Sequence, residues 1–577
     1  MSNNIAELLP ELLTATRPLR PLLAAAAVAA LLAHFYVRHV LLPAPLRGLP
    51  YLGPPTILRL AAARMPYLDF FKAQMDALQR MAVQLGAIAN ATDTPAAWCT
   101  WVFGSHIVMI ANPEDARAAV VGSEESLPLR RVTWGELGLK THEALMGNSL
   151  VTTMGVPWKK HHGVLLPSFR RGFPADLFAP PSRQLLAHFD AHAVAGSTVD
   201  VDDYMQRLTL DALSGILFAS SFDAINKPNS HMLTLYNDVR AFLFHPVYTA
   251  LGTLAAYTPA GRRARAKVHA FSQCLKDLVT ERAAEMQERR KNGTEAPVDG
   301  RDLLERMIEA SEAGLMSDEE IRSNMVGFFV AGHDTTATTL TYAIYMLGYH
   351  KDIQDKARAE ALALMGTRSV DVSNAQGAEH AIYPTNDQAN KLTYLTMVIK
   401  ETMRLFPAVN ALPFRRASRD VKLSTGHVIP RGTVVSIHIL AMQRAKQFYG
   451  EDADTFRPER WAKPATAATA SQATAIAADE EDEQLTAATE GTAVPLSASA
   501  NGYMWMPFSA GPHACIGQQF SITEQRVLLA MMLARYEWDI MGDEHALAGK
   551  PLSRRGMLLH PEGIHVVFRR RGAAREE

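Results

Sequence analysis

The sequence predicts a mainly α fold with a small β part, and three observations predict it. Helical patterns dominate from about Thr56 onward. An apolar run from Ile321 to Tyr349, too long for a strand, follows a helix-start signal at Ser317 and Glu320. β-like runs such as Thr433 to Leu440 are short and too few for a sandwich or barrel.

Composition supports a large folded unit. Of 577 residues, 48% are apolar and 20% charged, enough to build a substantial core. The formal net charge of -1 gives no reason to expect nucleic acid as a partner. Cys99, Cys274 and Cys515 lie far apart, with no Cys-x-x-Cys pair and no zinc-like spacing. A disulfide framework is therefore not expected, which fits a reducing compartment.

Residues 1–20 read as an N-terminal tail and 21–42 as a membrane anchor. The stretch Pro21 to Leu42 is about 22 residues, which as a helix roughly spans a bilayer core. His34, Arg38 and His39 interrupt it, and Arg38 can snorkel toward a headgroup region. A cleaved signal peptide and a buried Ala-rich helix are the alternatives. The run is long for the former and begins late. Residues 43–55 carry five prolines and two glycines, which reads as a stiff hinge. The arginines at and beyond the far end of the anchor, Arg38, Arg47, Arg59 and Arg64, outnumber Arg17 and Arg20 before it. That favours a cytosolic domain over residues 56–577.

Within the domain, Asp318 and Glu319 add favourable charge to the first turn after Ser317. The long helix carries Gly332 and four threonines between Asp334 and Thr339, poor helix formers for a buried segment. They read as making room for a ligand. A second helix is expected from about Gln388 to Leu405, stopped by Pro407. Residues 463–500 are rich in Ala, Thr and Ser with an acidic run from Asp479 to Glu483, and read as a disordered surface insertion.

The chemistry gathers on Cys515, in Phe508-Ser-Ala-Gly511-Pro-His513-Ala-Cys515-Ile-Gly517, just before an apolar helix from Phe520 to Leu533. A Gly-flanked loop lets backbone N–H groups point at sulfur, and the helix start adds positive potential. Both favour thiolate. A thiolate is what a haem iron needs to push electron density into oxygen and favour O–O cleavage. A lone cysteine is ordinarily an inert buried residue; the surroundings set this one apart.

That loop resembles the haem-binding loop of the cytochrome P-450 family. Glu401-Thr-Met-Arg404 resembles the family's E-x-x-R helix, and Phe456-Arg-Pro-Glu-Arg460-Trp461 its P-E-R-F/W segment. Ala331-Gly332-His-Asp334-Thr335-Thr336 resembles its oxygen-binding motif. Four motifs in register make the match specific. The resemblance implies that Glu401, Arg404 and Arg460 are buried, joined and structural. It implies that Ala331 and Gly332 let a ligand lie against the helix. It further implies that Thr335 donates to the oxygen being activated and that Asp334 relays protons through water. Phe508, Gly511 and Gly517 shape the cofactor loop.

The propionates of haem b need donors. The resemblance points to Trp158, to His162 and His513, which stand where arginine is common, and to Arg415 or Arg416, with Arg415 fitting the spacing to Asp420 better. Propionates would favour protonated histidine. The implied activity is NADPH-dependent hydroxylation of a lipophilic substrate. Electrons would come through a separate membrane-bound reductase at the endoplasmic reticulum, with cytochrome b5 as an additional candidate partner. Pocket candidates are Phe328 to Ala331, Val409 to Leu412, and Met557 with Leu558, apolar apart from Asn410. The segment Tyr449 to Trp461 looks most like fungal members, some of which resemble fatty-acid hydroxylases, so a long-chain fatty acid is the first expectation. Terpenoid or polyketide tailoring is the second. A haem isomerase or peroxygenase would typically depart from the Asp334–Thr335 pair.

Overall fold

The computed structural model describes residues 42–571 apart from 57–58, 60–66, 89, 91, 103–104, 122–128, 138, 171, 220–221, 230, 244–247, 249–251, 295–300, 367–381, 463–502, 543–551 and 555–557. The expected tail, the anchor up to residue 41 and the expected insertion lie outside the described residues, as does Met557. Among the described residues no helix is long and apolar enough to cross a membrane.

Six helices frame the site: α1 (Gly155–Arg170), α2 (Val201–Leu217), α3 (His231–Leu243), α4 (Asp318–Tyr349), α5 (Thr393–Leu405) and α6 (Gln518–Arg535). Helix α4 starts where the capping signal places it. Ser317 Oγ accepts from the Glu320 N–H at 3.2 Å, and the Glu320 carboxylate accepts from the Ser317 N–H at 2.9 Å. From Ile321 nearly every residue of α4 is buried, so the helix threads the core. Its threonines survive there by back-bonding: Thr339 Oγ1 donates to Thr335 O at 3.0 Å and Thr341 Oγ1 to Ala337 O at 2.8 Å.

Helix α2 packs along α4. Gly332 permits the approach, since a Cβ there would stand 2.6 Å from Leu213 Cδ1. The missing side chain of Gly332 serves helix–helix contact, and the exposed residue of this turn is Ala331.

The helix expected over Gln388 to Leu405 is two. Asn386–Lys391 has its own capping box from Thr385 and Gln388. The chain then breaks at Leu392, with ψ of 70°, before α5. Apolar spacing runs through the break, so periodicity alone cannot show it. The strand expected over Thr433 to Leu440 ends at Ile437, because the His438 ring accepts from the Ala441 N–H and starts a short helix.

The main sheet has six strands, β1 (Tyr51–Leu52), β2 (Ala97–Val102), β3 (Ser105–Ile110), β4 (Leu129–Arg131), β5 (Arg415–Ala417) and β6 (Val434–Ile437), in the order β1-β2-β3-β6-β5-β4. Strand β1 pairs parallel with β2, and Leu46, Leu49 and Leu52 are buried in the core. The stretch expected as a hinge over 43–55 is thus largely packed into the domain: its apolar leucines cover the sheet edge.

Candidate active site

Three hydrogen bonds fold the Cys515 loop. The Cys515 N–H donates to Phe508 O at 2.8 Å, Ala514 N–H to Gly511 O at 2.9 Å and Ser509 N–H to Met506 O at 3.0 Å. Gly511 has φ of +70°, and a Cβ there would lie 2.6 Å from the carbonyl oxygen of Val120. No other residue type fits that turn without moving backbone. Gly517 sits beside the sulfur, its Cβ position 3.9 Å from Cys515 Sγ, and caps α6.

Burial raises the Cys515 thiol pKa, and the Gly517 N–H only partly offsets it. Cys515 is nonetheless accessible, so the surrounding protein desolvates the sulfur without sealing it. A sulfur so placed ionises when a metal cation binds it.

Behind the loop, Glu401 and Arg404 are fully buried. Arg404 donates to Glu401 at 2.9 Å and 2.8 Å, then reaches Gln443 O at 2.9 Å and Ala453 O at 2.6 Å. Arg460 Nε donates to Glu401 Oε1 at 2.8 Å, and the Trp461 indole to Oε2 at 3.0 Å. Every acceptor of the carboxylate is satisfied, as a buried charge requires. Lys400, also fully buried, lies 4.6 Å from the Trp461 ring centroid and 5.3 Å from that of Trp505. The two indoles meet edge-on, centroids 5.6 Å apart, and the Trp505 indole donates to Lys400 O at 3.2 Å. Trp505 also contacts Phe508, at 6.5 Å.

On the flank of the loop, Trp158 stacks on His162 at 4.5 Å and meets His513 at 4.2 Å, which brings α1 against the loop. Arg415 is directly opposite Arg131 across the β4–β5 pair. Like charges facing each other across strands are destabilising. Burial and Arg415 push Arg131 down to about 10. Arg416 points elsewhere, to Gly432 O at 2.9 Å and to Glu136. Arg131 has no counterpart in the sequence reading. Only its pairing with a strand nearly 300 residues away shows its relevance.

His513 is pushed down to about 4 by burial, Arg131, Arg415 and His162, and its Nδ1 is sealed without a hydrogen-bond partner among the described residues. Burial and Arg170 lower His162 as well. Without an anion beside them, the protonated imidazoles expected from sequence are disfavoured. Arg131, which also donates to Val151 O, Arg415 opposite it and the orphaned ring nitrogen of His513 are donors that carboxylates can join. A haem, with an iron for the sulfur and propionates for these donors, fits the residues present.

On α4, the Thr335 hydroxyl donates to Ala331 O at 2.8 Å. Asp334 is fully buried and turned toward α3, where Tyr236 OH donates to Oδ2 and Arg240 Nη1 to Oδ1 at 3.0 Å. Burial alone would raise its pKa, but His333, Arg240, His560 and the Tyr236 hydroxyl hold it below the usual carboxylate value. The water-accessible relay expected of Asp334 is therefore closed in this conformation. Thr336 reaches Ser521 of α6 at 2.9 Å, tying the two helices together. Among the apolar candidates, Val409 forms a bridge with Leu558. A cavity of about 500 Å³ opens beside Arg131, lined also by Trp134, Val151 and Phe414. It includes neither Cys515 nor Thr335, so it is not where the chemistry would occur.

Comparison with known proteins agrees with this geometry. The cytochrome P450 family model matches residues 84–568. The chain is 26% identical over 449 residues to cytochrome P450 4F8 of Homo sapiens, covering 74% of this chain and 75% of that protein. It is 27% identical over 418 residues to cytochrome P450 52A3-A of Candida maltosa, covering 68% and 70%. Echinocystic acid 23-monooxygenase of Saponaria officinalis is 27% identical over 449 residues, covering 74% of each chain. The model spans most of the sequence and contains all four motifs, and the chain belongs to the cytochrome P450 family.

Proposed function

We propose that this chain is a haem-thiolate monooxygenase that hydroxylates a lipophilic substrate, with a long-chain fatty acid as the first candidate. The observation that carries the reading is an accessible Cys515 on a rigid loop, flanked by Arg131, Arg415, Trp158 and His513. Bound haem supplies the iron centre at which molecular oxygen is activated. Cys515 would hold the iron, and the arginines with Trp158 and His513 would hold the propionates. Phe508, Gly511 and Gly517 keep the loop in place.

The chain's own distal groups divide the remaining work. Thr335 presents a hydroxyl that can switch from Ala331 O to a ligand. Asp334, one residue earlier, holds a charge that can accept and return a proton. Ala331, Val409, Leu412 and Leu558 offer apolar surface, which supports a lipophilic substrate. Electrons are assigned to NADPH through a separate membrane-bound reductase, with cytochrome b5 as a second donor. The domain is placed on the cytosolic face of the endoplasmic reticulum, anchored by residues 21–42. Oxidative tailoring of a terpenoid or polyketide stays the second reading, which the relative named echinocystic acid 23-monooxygenase supports.

Purified full-length protein with added reductase tests this. A thiolate-type Soret shift with carbon monoxide is expected, then NADPH-dependent oxygenated product from a fatty-acid panel. Absence of a Soret band rejects the haem reading, and a Soret band without the thiolate shift rejects Cys515 as the iron's ligand. A thiolate shift with product only from terpenoid or polyketide substrates rejects the fatty-acid reading.

A further inference from the structure

Lys400 is an unusual residue for its site. It is fully buried on α5, where a methionine would fill a similar volume with no charge to desolvate. Its ammonium lies instead between two indoles, 4.6 Å from the Trp461 centroid and 5.3 Å from that of Trp505. Both rings are buried, and an ammonium is drawn to an indole face most strongly where water is absent. Burial pushes Lys400 down to about 8, which leaves it largely a cation at neutral pH.

The segment that leads into the Cys515 loop is held in two ways. Its main chain is tied by side chains: Tyr449 OH donates to Met504 O at 3.1 Å, and the Met506 N–H donates to Gln443 Oε1 at 3.1 Å. The Trp505 side chain is tied to Lys400 alone among these groups, and twice. The indole N–H donates to Lys400 O at 3.2 Å, which pins one edge of the ring. A ring pinned at one edge can still tilt, and the ammonium on its face opposes the tilt.

That orientation reaches the sulfur by contact. Trp505 meets Phe508 edge-on, with centroids 6.5 Å apart. Phe508 O accepts from the Cys515 N–H at 2.8 Å. A tilt of Trp505 would therefore disturb the residue whose carbonyl holds the Cys515 main chain.

We propose that Lys400 is a positioning residue for the iron-binding sulfur: its ammonium fixes the face of Trp505, Trp505 fixes Phe508, and Phe508 fixes Cys515. The proposal rests on the reading of Cys515 as the iron's ligand. The role differs from that of Glu401 next to it. Loss of the Glu401 carboxylate strands Arg404 as a buried charge, whereas Lys400→Met removes a buried charge and keeps an apolar stem. It also leaves the Tyr449 and Gln443 ties and the backbone acceptor of the Trp505 indole in place. The fold should survive while the face of Trp505 is released.

The carbon monoxide complex of the haem-loaded full chain at neutral pH reads the sulfur directly. The quantity is the share of bound haem that lacks the thiolate-type Soret shift. In Lys400→Met that share should rise severalfold, with the far-ultraviolet circular dichroism unchanged. Trp505→Leu should raise it too. Adding Lys400→Met to Trp505→Leu should raise it no further, because the ammonium then has no Trp505 ring to hold. An unchanged share in either single variant, or a further rise in the double variant, overturns the proposal. A Lys400→Met chain that does not fold also overturns it, by making the residue structural only. A wild-type complex without the thiolate shift is a separate result, which removes Cys515 as the ligand and this proposal with it.

Discussion

The Trp461 indole nitrogen donates to Glu401 Oε2 at 3.0 Å, on the oxygen that Arg404 Nε also reaches at 2.9 Å. Glu401 is therefore the shared acceptor for two arginines and an indole from separate parts of the chain. Glu401→Ala would leave Arg404 charged and buried, at a cost of about 3–5 kcal/mol. That is a large share of the ~5–15 kcal/mol stability of an ordinary domain. The expected outcome is loss of soluble protein and of haem per chain, measured by yield and by the haem-to-protein ratio. Full haem content in this variant would contradict the structural role.

Gly511→Ala tests the loop itself. The positive φ and the 2.6 Å approach to Val120 O leave an alanine nowhere to go, and the obstacle is backbone. A strained left-handed residue costs on the order of 1–3 kcal/mol, so the fold should survive while the loop shifts. Far-ultraviolet circular dichroism should be unchanged and haem content reduced. Equal haem content would show that the turn tolerates a side chain.

Thr335→Ala removes a hydroxyl that among the described residues makes a back-bond to Ala331 O. Such a bond adds little to helix stability, so the unfolding midpoint should barely move. Haem should be retained, and the share of NADPH ending as hydrogen peroxide should rise severalfold. Unchanged coupling of NADPH to product would sink the role proposed for this hydroxyl.

Much of this was legible in the sequence, and the exceptions share a cause. The start of α4, the Cys515 loop and the E-x-x-R helix follow from local spacing. The break at Leu392 and the early end of β6 at Ile437 depend on single backbone angles and on one histidine cap, which apolar periodicity does not register. Arg131, Tyr236 and Arg240 belong to no motif. Their significance comes from partners such as Arg415 and Asp334, far along the chain, which only the packed fold brings near. Gly332 was legible as a residue that had to be small, but its neighbour, Leu213, was not.

Glu320 supplies a pH-dependent term at the start of α4. Burial would raise its carboxyl, but Lys160, the Ser317 N–H, His161 and the Ser317 hydroxyl hold it at about 2. A carboxyl depressed on folding stabilises fully above its unfolded value, near 4.5, and that stability is lost as pH falls toward 2. Glu320→Gln can keep the capping bonds and drops the charge. At neutral pH the variant should be less stable by about 0.2–1 kcal/mol, the range for a partly exposed pair. Denaturant midpoints of the two proteins should converge over that acidic window. A constant difference would assign the effect to capping instead of charge.

The edge-on contact of Trp461 and Trp505 has a consequence for how this gene can change. The two indoles bracket residues 463–502 and are fastened to neighbouring positions, Lys400 and Glu401, on one helix. Trp461 and Trp505 thus stand side by side, and two points so close constrain the number of residues between them only weakly. For any flexible loop that joins two neighbouring points, each doubling of length costs only about 0.6 kcal/mol in closure entropy. Insertions and deletions should therefore accumulate here among relatives while the spacing from Trp505 to Cys515 stays fixed. A reporter or a whole foreign domain spliced into this interval would meet the same tolerance.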